Sequence, residues 1–174
     1  CSSDLPRGPD LFKTMRKFEE IRGLPYCVGA ADGTHIRWDS CPTSQYYEYR
    51  CYKGFPSLVT FAVATADRKI IFADIGSPGV LGDATIFENA VLKKIISDGR
   101  WLGEEIPPLQ VGDAEVRPYL LGDCAFTLEE NFMKTASKAE VAASPMLDVW
   151  NSIASQTRKV VECAFGIIKN RFSI

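Results

Sequence analysis

The chain has 174 residues, of which 46% are hydrophobic and 24% are charged, and its formal net charge is -2 at pH 7. This length and composition are typical of about one globular domain that buries its core without disulfide staples. The negative charge argues against nucleic-acid binding through bulk electrostatics, so a DNA contact would need a local basic strip or a partner. The longest apolar runs, such as residues 58–66, are strand-sized and far too short to span a membrane.

The first half of the chain predicts a helix followed by a β-meander. Apolar residues recur at helical spacing over residues 10–22, and Gly23 and Pro25 end that helix. Three strands are predicted next, at residues 27–38, 58–65 and 70–75. The connection between the first two strands holds an aromatic, strand-prone cluster: Tyr46, Tyr47, Tyr49 and Tyr52. A Gly/Pro loop over residues 76–82 closes this half.

The second half predicts helices around one more strand. The predicted elements are, in order, a helix over residues 83–96, an irregular segment 101–118, a buried strand 119–121, a helix beginning near Thr127, a polar connection 136–144 and a long helix 148–172. A meander, a helix, a further strand and long helices is the order of the ribonuclease-H-like fold. The sequence therefore predicts an α/β protein with a mixed central sheet flanked by helices.

The six cysteines show no C-x-x-C pairing: Cys1, Cys27, Cys41, Cys51, Cys124 and Cys163. We expect reduced, mostly buried thiols in an intracellular protein, with a Cys41/Cys51 zinc or disulfide site as the weaker alternative. His35 is the only histidine and builds no multi-histidine metal site alone. Residues 1–10 lack the apolar stretch of a secretory signal, and because residue 1 is not Met we expect a trimmed or excised chain.

Four carboxylates stand where predicted strands meet turns or on a polar helix face: Asp32, Asp83, Asp123 and Glu162. Acids this far apart in sequence come together only through the fold, and converging carboxylates repel one another unless divalent cations neutralise them. Two hard cations held by such oxygens activate a water and stabilise both oxygens of a phosphodiester displacement. The pattern therefore predicts nuclease or strand-transfer chemistry.

Each acid also has an ordinary structural explanation. Asp32 before a glycine is typical of a turn, Asp83 is typical of a helix N-cap, and Asp123 could cap the helix predicted from Thr127. Glu162 lies among apolar helix residues, where burying a carboxylate is costly without a cation or partner. A salt bridge to Arg158, four residues earlier, is its structural alternative.

Five segments carry motifs in a specific order: residues 29–36 (GAADGTHI), 52–57 (YKGFPS), 76–87 (GSPGVLGDATIF), 119–126 (YLLGDCAF) and 158–172 (RKVVECAFGIIKNRF). Together they resemble the DDE-type nuclease domain of the PIF/Harbinger transposases, over about residues 29–172. The resemblance implies a catalytic set of Asp32, Asp123 and Glu162. It also implies that these three residues and Asp83 ligate the cofactor, Mg²⁺ or Mn²⁺.

The sequence departs from the family at two site-proximal positions. Gly82 stands where family members often carry His, and Cys124 stands where Ser is common, but neither change removes a carboxylate. We expect a lead-in and helix at residues 1–25 and the nuclease domain at 26–174. Family members usually add an upstream helix-turn-helix region and further C-terminal helices, so the chain is expected to be a fragment.

Basic residues concentrate on the last predicted helix. Arg158, Lys169 and Arg171 are predicted to bind DNA, and Lys169, about two turns after Glu162 on the same face, is placed to meet the phosphate. For Lys159 and Arg171 a solvated helix face is an equal alternative. His35 is expected to make a structural hydrogen bond, and the tyrosine cluster is expected to pack on the sheet rather than stack on unpaired bases.

The sequence thus predicts a metal-dependent DNA endonuclease or strand-transfer domain. The alternative is a domesticated, non-catalytic module that tethers DNA or binds proteins. DNA is the expected partner, with a separate Myb/SANT-like DNA-binding protein and a homo-oligomer as further expectations and no membrane. The expected location is the nucleus, with the cytoplasm second.

Overall fold

A mixed β-sheet forms the centre of the protein, seen in a computed structural model that describes residues 2–102 and 106–172, with only the backbone of residues 2 and 3. The strands are β1 Ser2–Ser3, β2 Cys27–Arg37, β3 Ser57–Ala64, β4 Ile70–Pro78, β5 Leu109–Val111, β6 Ala114–Val116, β7 Tyr119–Gly122 and β8 Phe132–Lys134. Six of them form one sheet in the order β1-β4-β3-β2-β7-β8, and β5 and β6 pair separately.

Helices flank the sheet, and α1 and α6 are the longest of those described. Their bounds are α1 Gly8–Arg22, α2 Tyr46–Tyr49, α3 Asp83–Asn89, α4 Val91–Ser97, α5 Lys138–Ala143 and α6 Met146–Phe172, with a 3₁₀ turn at Thr43–Gln45. The helix α1 ends where predicted, because Gly23 takes a left-handed φ of 69° and donates its N–H to Glu19 O. Among the described residues, no helix is both long and apolar enough to cross a bilayer.

The strand pairing makes the sheet mixed, as predicted. The meander β2, β3 and β4 is antiparallel, whereas β7 pairs in parallel with both β2 and β8. Parallel strands in one sheet need a crossover connection, and the segment from α3 to β6 crosses from β4 to β7, which pairs with β2. The central strand β2 is therefore reached from both halves of the chain.

The core has two parts, one on each face of the sheet, because side chains alternate along a strand. Phe61 and Val63 of β3 pack with α3 and α4 on one face. Ala62 and Ala64 of the same strand pack beneath α6 on the other. Small residues on the second face let the long helix approach β2 closely.

The helix predicted from Thr127 is wrong. Residues 127–131 form an irregular connection that ends in a tight turn closed by the Glu129–Phe132 bridge, and the chain continues into the short parallel strand β8. Asn131 Nδ2 donates to Leu102 O at 3.2 Å and to Pro118 O at 2.8 Å, and the ring of Phe132 is buried in the aromatic core. These tertiary contacts override the local capping signal.

Other short elements also differ from the prediction. The tyrosine-rich segment contains α2 rather than a strand, the predicted helix over 83–96 breaks at the extended residue Ala90, and the irregular segment contains the β5–β6 hairpin. Residues 103–105 of that segment lie outside the described residues. The predicted polar connection holds α5, whose signal was a capping box: Ser137 Oγ accepts from Glu140 N, and Glu140 accepts from Ser137 N.

The five cysteines within the described residues are all free thiols. Cys27 and Cys51 are buried, Cys41 is half-buried, and Cys124 and Cys163 are exposed, so the prediction of mostly buried thiols holds for two of the five. The Cys41/Cys51 disulfide does not form. Cys1 lies outside the described residues.

Candidate active site

The parallel pairing of β2 with β7 places two of the predicted acids side by side. Ala30 pairs with Leu121 in this register, and Asp32 and Asp123 each lie two residues further along their strands. Asp32 is therefore inside β2, paired with Ala62, rather than at the turn that its Asp-Gly sequence suggested. Asp123 follows β7 directly, and its Oδ1 accepts a hydrogen bond from Ala125 N at 2.9 Å.

Gly33 explains how a third acid reaches the same place. A Cβ built on Gly33 would lie 1.9 Å from Asp83 Oδ1, so the carboxylate at the start of α3 occupies the space that a side chain would fill. Gly33 is needed here for close approach, not for a turn, since β2 continues through it. The sequence shows the glycine but gives no sign of which residue fills its space.

Burial and mutual repulsion disturb the ionisation of these acids. Burial raises the pKa of Asp32 to about 6; Arg158 and the Gly33 backbone amide oppose the rise, while Asp83 and Asp123 add to it. Burial also raises the pKa of Asp83, with Asp123 adding to it and His35 among the groups that oppose it. Asp32, Asp83 and Asp123 are therefore close enough to act on one another.

Arg158 of α6 pairs with the buried acid. Its Nη2 lies 3.0 Å from Asp32 Oδ1, and each side chain is only 14% exposed. Arg158 Nε is buried and has no hydrogen-bond partner among the described residues. In this state the guanidinium, predicted to contact DNA, neutralises Asp32 instead.

Glu162, the fourth predicted acid, lies one turn after Arg158 and is exposed. The neighbouring residues Val161, Ala164 and Phe165 are buried, so the helix turns its apolar side to the sheet and leaves Glu162 at the edge of that face. Among the residues that the structure describes, Arg158 forms its ion pair with Asp32 and not with Glu162 as suggested.

Lys169 connects the C-terminal end of α6 to β2 by hydrogen bonds. Its Nζ donates to Thr34 Oγ1 at 2.8 Å and to His35 O at 3.0 Å. Burial lowers the pKa of Lys169, and the nearby Lys53 lowers it further. Arg171, two residues later, is exposed. The side chain of His35 makes the structural hydrogen bond that was predicted, with Nδ1 at 2.9 Å from Ser57 Oγ.

The donor set fits hard divalent cations in its chemistry. Carboxylate oxygens are the ligands that Mg²⁺ and Mn²⁺ prefer. The Arg158 guanidinium beside Asp32 shows that a positive charge fits at this carboxylate. Within residues 2–102 and 106–172, no three His, Cys, Asp or Glu side chains are placed so that they could hold a metal ion as they stand. Cation binding by the predicted set therefore requires side-chain adjustment.

Comparison with known proteins agrees with this arrangement. The family model described as DDE superfamily endonuclease matches residues 31–174. The chain belongs to this family. This membership confirms, at the level of the DDE superfamily, the nuclease resemblance drawn from the five motifs, and the mixed α/β architecture is that of its ribonuclease-H-like fold.

A curated relative is longer than this DDE-family chain. "Protein ALP1-like" of Arabidopsis thaliana is 31% identical over 160 residues, which cover 91% of this chain and 38% of that protein. The chain thus spans under two fifths of the length of the relative it matches. No solved structure matches the chain.

The raised pKa of Asp32 predicts a pH-dependent stability in the absence of metal. A change from 3.8 to about 6 corresponds to on the order of 3 kcal/mol. Because the folded pKa is above the unfolded one, this cost is absent below about pH 4 and complete above about pH 6. Asp32→Asn should therefore unfold at higher urea than the wild type at pH 8 in EDTA, and the gap should shrink toward pH 4. Equal gaps at both pH values, or the same behaviour in the exposed control Asp113→Asn, would contradict this.

The Arg158–Asp32 pair predicts strong coupling between the two side chains. Arg158→Gln should cost about 3 kcal/mol in metal-free protein at pH 8, because it leaves a buried carboxylate beside two others. In the Asp32→Asn background the same change should cost less than about 1 kcal/mol. The measurement is a double-mutant cycle by urea unfolding. Lys159→Gln, the same charge change on the exposed face, is the control. Additive effects would mean that the ion pair is not the relevant interaction.

Proposed function

We propose that the chain is the Mg²⁺- or Mn²⁺-dependent DNA endonuclease and strand-transfer domain of a Harbinger-like transposase or transposase-derived nuclease. The observation that carries the proposal is the parallel pairing of β2 with β7, which brings Asp32 and Asp123 side by side. Asp83 joins them through the space above Gly33. Membership of the DDE endonuclease family supports the same chemistry.

The acids would share the work of holding cations. Asp32 would hold the cations from the central strand β2, with Asp123, directly after β7, and Glu162 of α6 completing the ligand set. Asp83 would ligate as well or hold the set in order. When bound, the divalent cations would activate the attacking water, or the 3′-OH in strand transfer, and stabilise the leaving 3′-oxygen.

The basic residues of α6 would take separate roles. Arg158 would release Asp32 Oδ1, which it now contacts, when a cation takes that oxygen as a ligand. Lys169, held against β2, is proposed to face the DNA phosphate next to the acids, and the exposed Arg171 to contact the backbone further away. Arg158 would be free in that state to join them.

Target choice is proposed to lie outside this chain. A net charge of -2 gives little general attraction to DNA, so we expect weak, salt-sensitive and sequence-tolerant binding. A separate Myb/SANT-like DNA-binding protein would then select the site, in the nucleus, with a homo-oligomer as the working form. Because the chain matches only 38% of the curated relative, we propose transposition only for a longer protein that contains this domain.

Two observations favour a second candidate function. The ion pair between Arg158 and Asp32 and the exposed position of Glu162 are also compatible with a domesticated, non-catalytic module. Such a protein would keep the fold as a DNA-tethering or protein-interaction surface. It would keep the acids as structural charges paired with Arg158.

Nicking of supercoiled plasmid with Mn²⁺ or Mg²⁺ tests the proposed function. Asp32→Asn and Glu162→Gln should each lower the rate by about a hundredfold or more, since even outer-shell partners of a metal are worth ten- to hundredfold. Glu20→Gln, which changes an exposed helical glutamate on α1, should nick like the wild type. Equal rates for wild type and Glu162→Gln would assign the activity to a contaminant. A folded wild type that nicks with neither metal would favour the non-catalytic module.

A further inference from the structure

The connection between β2 and β3 exposes aromatic rings that we expected to pack on the sheet. Tyr52 is 83% exposed and Tyr47 is 81% exposed, so for these two residues the expectation is wrong. Tyr49 instead packs edge-on against Trp38, with ring centroids 4.9 Å apart. A large ring left this accessible on a protein surface often marks a binding site.

Tyr52 is exposed but held in position. Its ring meets the His35 ring edge-on, with centroids 5.6 Å apart. His35 is itself fixed by its hydrogen bond to Ser57 Oγ, and Ser57 is fully buried. The ring of Tyr52 is therefore positioned by the core of the sheet while most of its surface faces solvent. Tyr47 has a different support, the neighbouring Tyr46 of the same short helix.

Positive charge gathers around this ring. Lys53 Nζ lies 5.4 Å from the centroid of the Tyr52 ring. Besides burial, the positive charges of Lys53 and Lys169 lower the pKa of His35, and Lys53 in turn lowers the pKa of Lys169. Lys169 hydrogen-bonds to Thr34 and to the His35 carbonyl. Two lysines that are far apart in the sequence thus lie near the end of β2.

The same place borders the acids. Burial lowers the pKa of His35, the residue that supports Tyr52, and the negative charge of Asp83 opposes this. The Asp83 carboxylate itself lies directly over Gly33. A ring, two ammonium groups and the carboxylate set therefore follow one another along β2. An aromatic face beside cations is the arrangement that binds a nucleotide: the base stacks and the phosphate pairs with the ammonium groups.

We propose that Tyr52 and Lys53 form a binding site for an unpaired nucleotide of the DNA substrate, with the base stacked on Tyr52 and its phosphate near Lys53 and Lys169. The inference rests on the proposed function, because it takes DNA as the substrate of the neighbouring acids. A base inside a duplex has no free face for the ring, so the site would select DNA that is frayed, gapped or single-stranded next to the cut.

Equilibrium binding in EDTA tests this site without catalysis. The probes are a fluorescein-labelled single-stranded oligonucleotide and a duplex of the same length, titrated with the whole chain. The wild type should prefer the single strand. Tyr52→Ala should weaken single-strand binding by about tenfold and leave duplex binding within about twofold, while Tyr52→Phe and Tyr52→Trp keep the affinity because they keep a ring.

Lys53 separates stacking from charge in the same assay. Lys53→Gln should weaken both probes and lower the slope of log affinity against log salt by about one, whereas Tyr52→Ala should leave that slope unchanged. Tyr47→Ala removes an equally exposed tyrosine that His35 does not support, and it should bind like the wild type. This matched pair distinguishes one positioned ring from exposed aromatic surface in general.

The outcomes are distinct. The proposal is overturned if the wild type does not prefer the single strand, if Tyr52→Ala binds it normally, if Tyr52→Ala loses both probes equally, or if Tyr47→Ala loses as much. Plasmid nicking by the same preparations keeps the two proposals apart. Tyr52-dependent binding without nicking would leave this site standing and remove the nuclease assignment. Nicking without Tyr52-dependent binding would do the reverse.

Discussion

The repulsion between the carboxylates gathered around the middle of β2 is the constraint on which the rest of the structure depends. Asp32, Asp83 and Asp123 lie close enough to disturb one another, and burial raises the pKa of Asp32 to about 6. An arrangement that costs stability persists where something opposes the cost or uses it. In the metal-free state Arg158 opposes it from α6, and we propose that divalent cations do so in the working state.

Separate features of the fold serve this cluster. The parallel register of β2 and β7 aligns Asp32 with Asp123, and the missing side chain of Gly33 leaves room for Asp83. Small residues on the sheet face beneath α6 let that helix bring its basic residues close. Lys169 then secures that helix to the backbone of β2. Because each feature lies on a different segment, the cluster forms only when the whole domain folds.

The sequence predicted the parts of this structure whose cause is local or periodic. The helices α1 and α6 and the meander follow from the spacing of apolar residues, and the ordered motifs predicted the family. The long-range choices were not predictable: Arg158 has Glu162 one turn away but pairs with Asp32, and the capping signal at Thr127 yields to the burial of Phe132. The Asp-Gly sequence at Gly33 is typical of a turn, and the residue that fills the space beside this glycine, Asp83, lies far away in sequence at the start of α3.

The central claim is that these acids form a divalent-cation site, and thermal melting with and without metal tests it most directly. At a metal concentration of about 100 times the dissociation constant, binding to the folded state alone stabilises by about 2.7 kcal/mol, or about 5–10 °C for a domain of this size. We predict that Mn²⁺ added after EDTA raises the melting temperature of the wild type by this amount and that Asp32→Asn and Asp123→Asn lose most of the shift. A correctly folded wild type that does not respond to Mn²⁺ or Mg²⁺, or that responds no more than these variants, would contradict the account.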